Sequence, residues 1–186
     1  MTLLALFPLL AVCPVQDTRP LPPPIPNVSV LNGSLLLIGR NVNDAEPADG
    51  QKGWGLELDG YRARDPLGWE LGVTRTSDEA SLSGGGSLDA TVREVYLGAR
   101  KTWVDPYSSF HPFASIGLSF VEAEAELSGG PKADDSSFGV YGRGGAYWTF
   151  GRYFNIGADV KALVGTDIDF GDANYVEVGV ILGYSM

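Results

Sequence analysis

The chain is short of the side chains that most catalytic and nucleic-acid-binding proteins depend on. It has one cysteine, Cys13, and one histidine, His111, so no disulfide can form within it and a centre of several histidines is excluded. Lysine and arginine number 13 against 23 aspartates and glutamates, a net charge of -10, which argues against nucleic acid as a partner. After the first dozen residues no apolar run approaches the roughly 18 that a membrane helix needs. If the chain crosses a membrane, it does so with strands. What it has instead is glycine, 25 in 186 residues, in a length that suits one domain.

Residues 1–16 read as a signal-like segment. MTLLALFPLLAV, Met1 to Val12, is apolar and too short to span, although it lacks a basic start. Leu10-Ala11-Val12-Cys13 suggests a lipoprotein cleavage site, but Val12 stands where such sites take a small residue. Residues 17–27, with RPLPPPIPN, read as an extended Pro-rich tether. The folded domain is expected over 28–186.

The stretch NYVEVGVILGYSM, Asn174 to Met186, sets the frame. Val176, Val178, Val180, Leu182, Tyr184 and Met186 share one face of a strand; Tyr175, Glu177, Gly179, Ile181, Gly183 and Ser185 share the other. The same alternation predicts seven earlier strands: Val28 to Arg40, Gly53 to Arg64, Leu67 to Thr76, Thr91 to Trp103, Phe110 to about Val121, Ser136 to Phe150 and Phe154 to Val164. In the first, the run Leu35 to Ile38 leaves the facing open. Long loops are expected at Asn41 to Lys52, Ser77 to Ala90, Glu122 to Asp135 and Thr166 to Ala173. Short turns are expected at Arg64-Asp65-Pro66, Val104 to Ser109 and Gly151-Arg152. Long and short connections therefore alternate, which is the pattern of an outer-membrane barrel with short periplasmic turns.

The expected fold is all-β: an eight-stranded antiparallel up-and-down transmembrane β-barrel. Aromatic rings support the lipid-facing choice for the apolar face. Trp69, Trp103, Phe110, Trp148, Phe150, Phe154 and Tyr184 fall near the periplasmic ends of the strands, and Trp54, Phe120 and Phe138 near the outer ends, as a two-belt girdle requires. A soluble lipocalin-like barrel would keep such rings inside and need not gather them at strand ends. The inward face then holds Glu57, Asp59, Glu70, Glu94, Asp159 and Glu177 with Arg100, Arg143 and Lys161. These charges should pair in a space that eight strands barely leave open. Lys161 lies across from Glu177, and Arg143 reaches Asp159. With Tyr61, Tyr96, Tyr141 and Tyr147 also inward, a polar plug without a continuous pore is expected.

GAYWTFGRYFNIGADV, Gly145 to Val160, and the closing strand with Glu177, Gly179, Leu182 and Tyr184 resemble the small eight-stranded outer-membrane barrels, the family of the OmpX/Ail proteins and the OmpA transmembrane domain. The resemblance covers about Ser34 to Met186. It implies a Gram-negative outer-membrane location, contact with outer-membrane lipid and lipopolysaccharide, and recognition by the barrel-assembly machinery, although Met186 stands where that signal usually ends in phenylalanine. The family's loops vary and carry its functions, so no partner motif transfers.

Some barrels of this size act on lipid A, which takes histidine, serine and a carboxylate within hydrogen-bond reach. His111 and Ser115 share a face, but Phe113 separates them and both lie at the periplasmic end, unlike the closely spaced, lipid-facing pair of the deacylases. Gly84-Gly85-Gly86 lacks the Lys-Ser/Thr and helix of a phosphate cradle. Acids crowd the expected loops: Asp44, Glu46 and Asp49; Asp78, Glu79 and Asp89; Glu122, Glu124, Glu126, Asp134 and Asp135; Asp167, Asp169 and Asp172. They could collect divalent cations, but a solvated, self-repelling surface explains them as well. The sequence thus points to a barrel with no catalytic residues, no cofactor and no metal, whose role is structural or a surface interaction through acidic loops. A lipid A-modifying enzyme and a narrow porin-like channel are the alternatives.

Overall fold

Alternation of apolar and polar side chains over eight segments produces eight strands that close on themselves. The computed structural model describes residues 29–42, 50–62, 65–81, 86–127, 130, 132–166 and 174–186. The signal-like segment, the tether, Cys13, Gly84, Gly85 and the acids Asp44, Glu46, Asp49, Asp167, Asp169 and Asp172 lie outside the described residues. The strands are β1 Ser29–Val42, β2 Gly50–Arg62, β3 Gly68–Ser81, β4 Ser87–Thr102, β5 Phe110–Leu127, β6 Lys132–Phe150, β7 Phe154–Val164 and β8 Tyr175–Ser185. Each pairs antiparallel with its neighbours, and β1 pairs with β8 to close the barrel. At the seam the Leu31 and Met186 backbones exchange hydrogen bonds of 2.8 and 3.1 Å. At the same end Gly151, with φ of 64°, makes the tight turn between β6 and β7.

The apolar face is outside. Leu56, Leu58, Leu71, Val73, Leu97, Leu118, Val160 and Val178 are exposed, while Glu57, Glu70, Glu94, Arg143 and Lys161 are buried. The run in β1 resolves accordingly: Leu36 and Ile38 point inward, Leu35 and Leu37 outward. Inward glycines make room for large rings. A methyl group on Gly72 would stand 2.2 Å from Cζ of Tyr96, and one on Gly98 2.2 Å from the hydroxyl of Tyr141.

The structure corrects the loop expectations on the outer side. The stretches read as long loops, Ser77 to Ala90 and Glu122 to Asp135, are mostly strand: β3 runs on to Ser81, β4 starts at Ser87, β5 reaches Leu127 and β6 starts at Lys132. The register stays unbroken to Ser81↔Ser87 and Glu126↔Lys132, and β4 pairs with β5 as far as Leu88↔Leu127. Asp78, Glu79, Asp89, Glu122, Glu124, Glu126, Asp134 and Asp135 therefore stand on a four-stranded sheet that rises above the rest of the barrel. Charge reads as a loop signal, but Glu122, Glu124 and Glu126 alternate with Ala123 and Ala125, and ion pairs from Arg93 and Lys132 tie Glu122 and Glu124 to the neighbouring strands. Beneath this sheet Val42, Val92, Val121, Ala123, Leu163 and Tyr175 form an apolar layer across the outer mouth of the lumen.

Candidate functional site

The lumen is filled by charged side chains in two tiers. In the lower one, Glu57 on β2 accepts from Arg100 at 2.8 Å, from the Tyr96 hydroxyl at 2.6 Å, and from Arg143. Arg100 also lies 3.1 Å from Asp59 and 3.5 Å from Glu70, the two acids that register places opposite each other on β2 and β3. Glu70 accepts from the Tyr141 hydroxyl at 2.6 Å, and Asp59 from the Asn32 amide at 2.9 Å. Arg143 donates to Asp159 on the neighbouring strand, a diagonal contact, since register sets Lys161 directly opposite Arg143.

The upper tier centres on Glu94 of β4. It meets Arg40 and Lys161, each at 2.8 Å, and accepts from Thr74, Tyr175 and Ser119. The same Nη2 of Arg40 lies 2.5 Å from Glu177, which also accepts from its Nε at 2.9 Å. Here the pairing differs from expectation: Lys161 lies opposite Glu177 in register, yet its ammonium reaches across the lumen to Glu94. Arg40 has taken Glu177. The Lys161 ammonium also sits 4.0 Å from the Tyr96 ring centre and 5.4 and 5.6 Å from those of Tyr141 and Tyr175, a tyrosine cage around a buried cation.

All nine charges read from the sequence as lumenal are buried. Arg40, which the sequence reading missed, is 2 % exposed and joins both carboxylates of the upper tier. The signal for it was there: Asn32 and Ser34 are polar at even positions, and carrying that parity past Ile38 puts Arg40 inside. Six carboxylates thus face four cations, and the hydroxyls of Tyr96, Tyr141 and Tyr175 supply donors that the missing cations do not.

The ten girdle residues, Trp54, Trp69, Trp103, Phe110, Phe120, Phe138, Trp148, Phe150, Phe154 and Tyr184, all lie on the exposed outer surface. Phe110 packs on Trp148 at 4.8 Å between centroids, and Phe120 on Phe138 at 5.0 Å. Ten residues separate the two levels on β5 and on β6. That is roughly 33 Å of strand, which a tilt of about 40° reduces to roughly 25 Å of height, the apolar band of a membrane barrel. Tyr153, absent from the expected girdle, stacks on Tyr184 at the lower belt.

On the raised sheet the charges are exposed. Arg93 lies 3.5 Å from Glu122 and 3.7 Å from Glu124, and Lys132 lies 2.8 Å from Glu124. The hydrogen bond from Lys132 holds the Glu124 carboxyl below the usual carboxylate range and raises the lysine in turn. His111 and Ser115 are not brought together. They are two inward positions apart on β5, roughly 13 Å along the strand. The His111 ring contacts Tyr147, and the Ser115 hydroxyl makes no hydrogen bond among the described residues. Among the described residues no three or more of His, Cys, Asp and Glu cluster as a metal site would.

A family model for the outer membrane protein β-barrel domain matches residues 9–185. Among solved structures, Neisserial surface protein A superposes with a TM-score of 0.60 at 14% identity, covering 85% of this chain and 96% of that one. The attachment invasion locus protein Ail of Yersinia pestis gives 0.57 at 14%, covering 85% and 97%. The N-terminal barrel domain of Pseudomonas aeruginosa OprF gives 0.51 at 14%, covering 83% and 97%. At these identities the likeness is one of fold. No curated protein matches the chain.

Proposed function

Since the chain belongs to the outer membrane protein β-barrel domain family and resides in the outer membrane, we infer that it is a non-enzymatic barrel with a structural or surface-interaction role, exerted through its acidic external face. One observation carries this reading: β3 to β6 continue past the outer aromatic level and lift Glu79, Asp89, Glu122, Glu124, Glu126 and Asp134 into the external medium. A sheet so charged favours a cationic partner. Ail has been crystallised with the heparin analogue sucrose octasulfate, a polyanion, and this sheet carries the opposite charge balance. Outer-leaflet lipid around the girdle and the barrel-assembly machinery at the closing strand are the further partners of this reading.

Binding of poly-lysine and of heparin to the barrel in nanodiscs tests it. Poly-lysine should bind with a steep salt dependence, and replacing Glu122, Glu124 and Glu126 by Gln and Asp134 by Asn should weaken and flatten that dependence. A preference for heparin overturns the reading. Loss or gain of acyl chains on lipid A by the purified protein, abolished by His111→Ala, would replace it with an enzyme. Steady single-channel conductance in planar bilayers would replace it with a channel.

A further inference from the structure

Across β2 to β6 the outer surface changes character in a single step. One outward row reads Leu56, Val73, Val95, Phe120 and Phe138 in register, wholly apolar. The next, two residues further out on each strand, reads Trp54, Arg75, Arg93, Glu122 and Ser136. Two residues advance roughly 6 to 7 Å along a strand, so between Val73 and Arg75 on β3, and between Val95 and Arg93 on β4, the wall passes from the hydrocarbon into the headgroup layer.

In that second row Arg75 and Arg93 are direct cross-strand partners. Like charges directly opposite on an antiparallel pair are destabilising. Arg93 offsets this through Glu122 and Glu124 on its far side. Arg75 does not: among the described residues no carboxylate lies within ion-pair distance of it. On its other side stands the Trp54 indole, and one row further out Lys52, opposite Ser77, adds a third cation. All of these point outward and are exposed. On a face otherwise dominated by acids, two arginines thus face each other at headgroup height with a lysine one row above them, and among the described residues only Arg93 of the pair has a carboxylate at ion-pair distance.

We propose that Arg75 and Arg93, with Lys52, hold the phosphate of an outer-leaflet lipid headgroup against the outside of the barrel. A guanidinium presents a planar fork that matches phosphate oxygens, and one phosphate between two guanidiniums relieves their repulsion. The height of the pair selects a lipid over a dissolved anion, because the acyl chains of that lipid lie along the apolar row directly below. This inference rests on the outer-membrane location and not on the cationic partner of the raised sheet, so either can fail alone.

The test uses the barrel in phosphatidylcholine nanodiscs containing spin-labelled phosphatidic acid, with the motionally restricted fraction read by electron paramagnetic resonance against spin-labelled phosphatidylcholine. Arg75→Gln and Arg93→Gln should each lower the relative association of phosphatidic acid, by up to about fivefold, and the double variant by more. Arg75→Lys should keep most of it. Lys132→Gln, higher on the sheet and committed to Glu124, should leave it unchanged. A heat-modifiability gel verifies that each variant is folded, and the single variants carry the test if the double one is not. Unchanged selectivity in the folded arginine variants overturns the proposal. So does an equal loss in Lys132→Gln, or displacement of the spin-labelled lipid by inorganic phosphate, which would mark a site for a soluble anion.

Discussion

Two arginines on opposite sides of the same wall show what surroundings do to one chemical pair. Arg40 points into the lumen and meets Glu94 at 2.8 Å and Glu177 at 2.5 Å, with side chains at most 3 % exposed. Arg93 points outward and meets Glu122 and Glu124 at 3.5 and 3.7 Å with 47% of its side chain in solvent. Inside, water cannot replace a lost partner, so each charge commits its neighbours. Outside, water and salt can do so, and the pairs remain free to exchange for a partner from the medium. The lumen therefore uses its charges to fix the barrel, while the raised sheet keeps its charges available.

The sharpest way to break this contrast is inside. Arg143→Ala leaves Glu57 and Asp159 without their shared cation and should destabilise the barrel by about 3 to 5 kcal/mol, read as a lower unfolding temperature on heat-modifiability gels. A loss as small as that of an exposed pair would mean that water fills the lumen. Next comes charge placed where the wall has none: Val178→Arg, outward near mid-depth, should cost about 2 to 4 kcal/mol in bilayer folding titrations. Spin labels at positions 178 and 177 should report lipid contact at the former only. Gly72→Ala isolates packing from charge, since its methyl meets the Tyr96 ring, and should cost about 1 to 3 kcal/mol. Arg93→Ala on the raised sheet should change stability by at most about 1 kcal/mol. The smallest effect concerns pH. The Glu124 carboxyl is depressed by Lys132, so its contribution is complete above the ordinary carboxylate range and is lost as pH falls through its lower folded value. A side-chain NMR titration of Glu124 should shift toward the ordinary value in Lys132→Gln.

The same contrast explains what was legible beforehand. Parity along a strand is local, so the facing of Val178 against Glu177, or of Arg143 against Gly142, could be read from a few neighbours. Register between adjacent strands was nearly as accessible, because short turns fix it, and it leaves Asp159 diagonally within reach of Arg143, with Lys161 directly opposite. Partners across the lumen were not. Whether Lys161 meets Glu177 beside it or Glu94 opposite depends on the stagger of all eight strands and on Arg40, whose facing was obscured by the run of four apolar residues from Leu35 to Ile38. The raised sheet escaped for another reason. Above the hydrocarbon a strand no longer needs an apolar outer side, so Glu122, Glu124 and Glu126 put charge where the lower strands put apolar side chains, while the hydrogen-bonded ladder continues unchanged.

The seam between β1 and β8 bears on how quickly such a molecule can form. The backbone bonds between Leu31 and Met186 join residues near opposite ends of the described chain, and the eleven-residue ladder from Asn32↔Ser185 to Val42↔Tyr175 is made of contacts at nearly maximal sequence separation. Each of the other seven pairings can grow from a hairpin; this one has no local nucleus and must wait for the rest. Until it forms, two strand edges carry open hydrogen-bonding groups that hydrocarbon cannot satisfy. Closure is accordingly the slow, all-or-none step of folding, and time spent before it is time in which another edge can capture either strand.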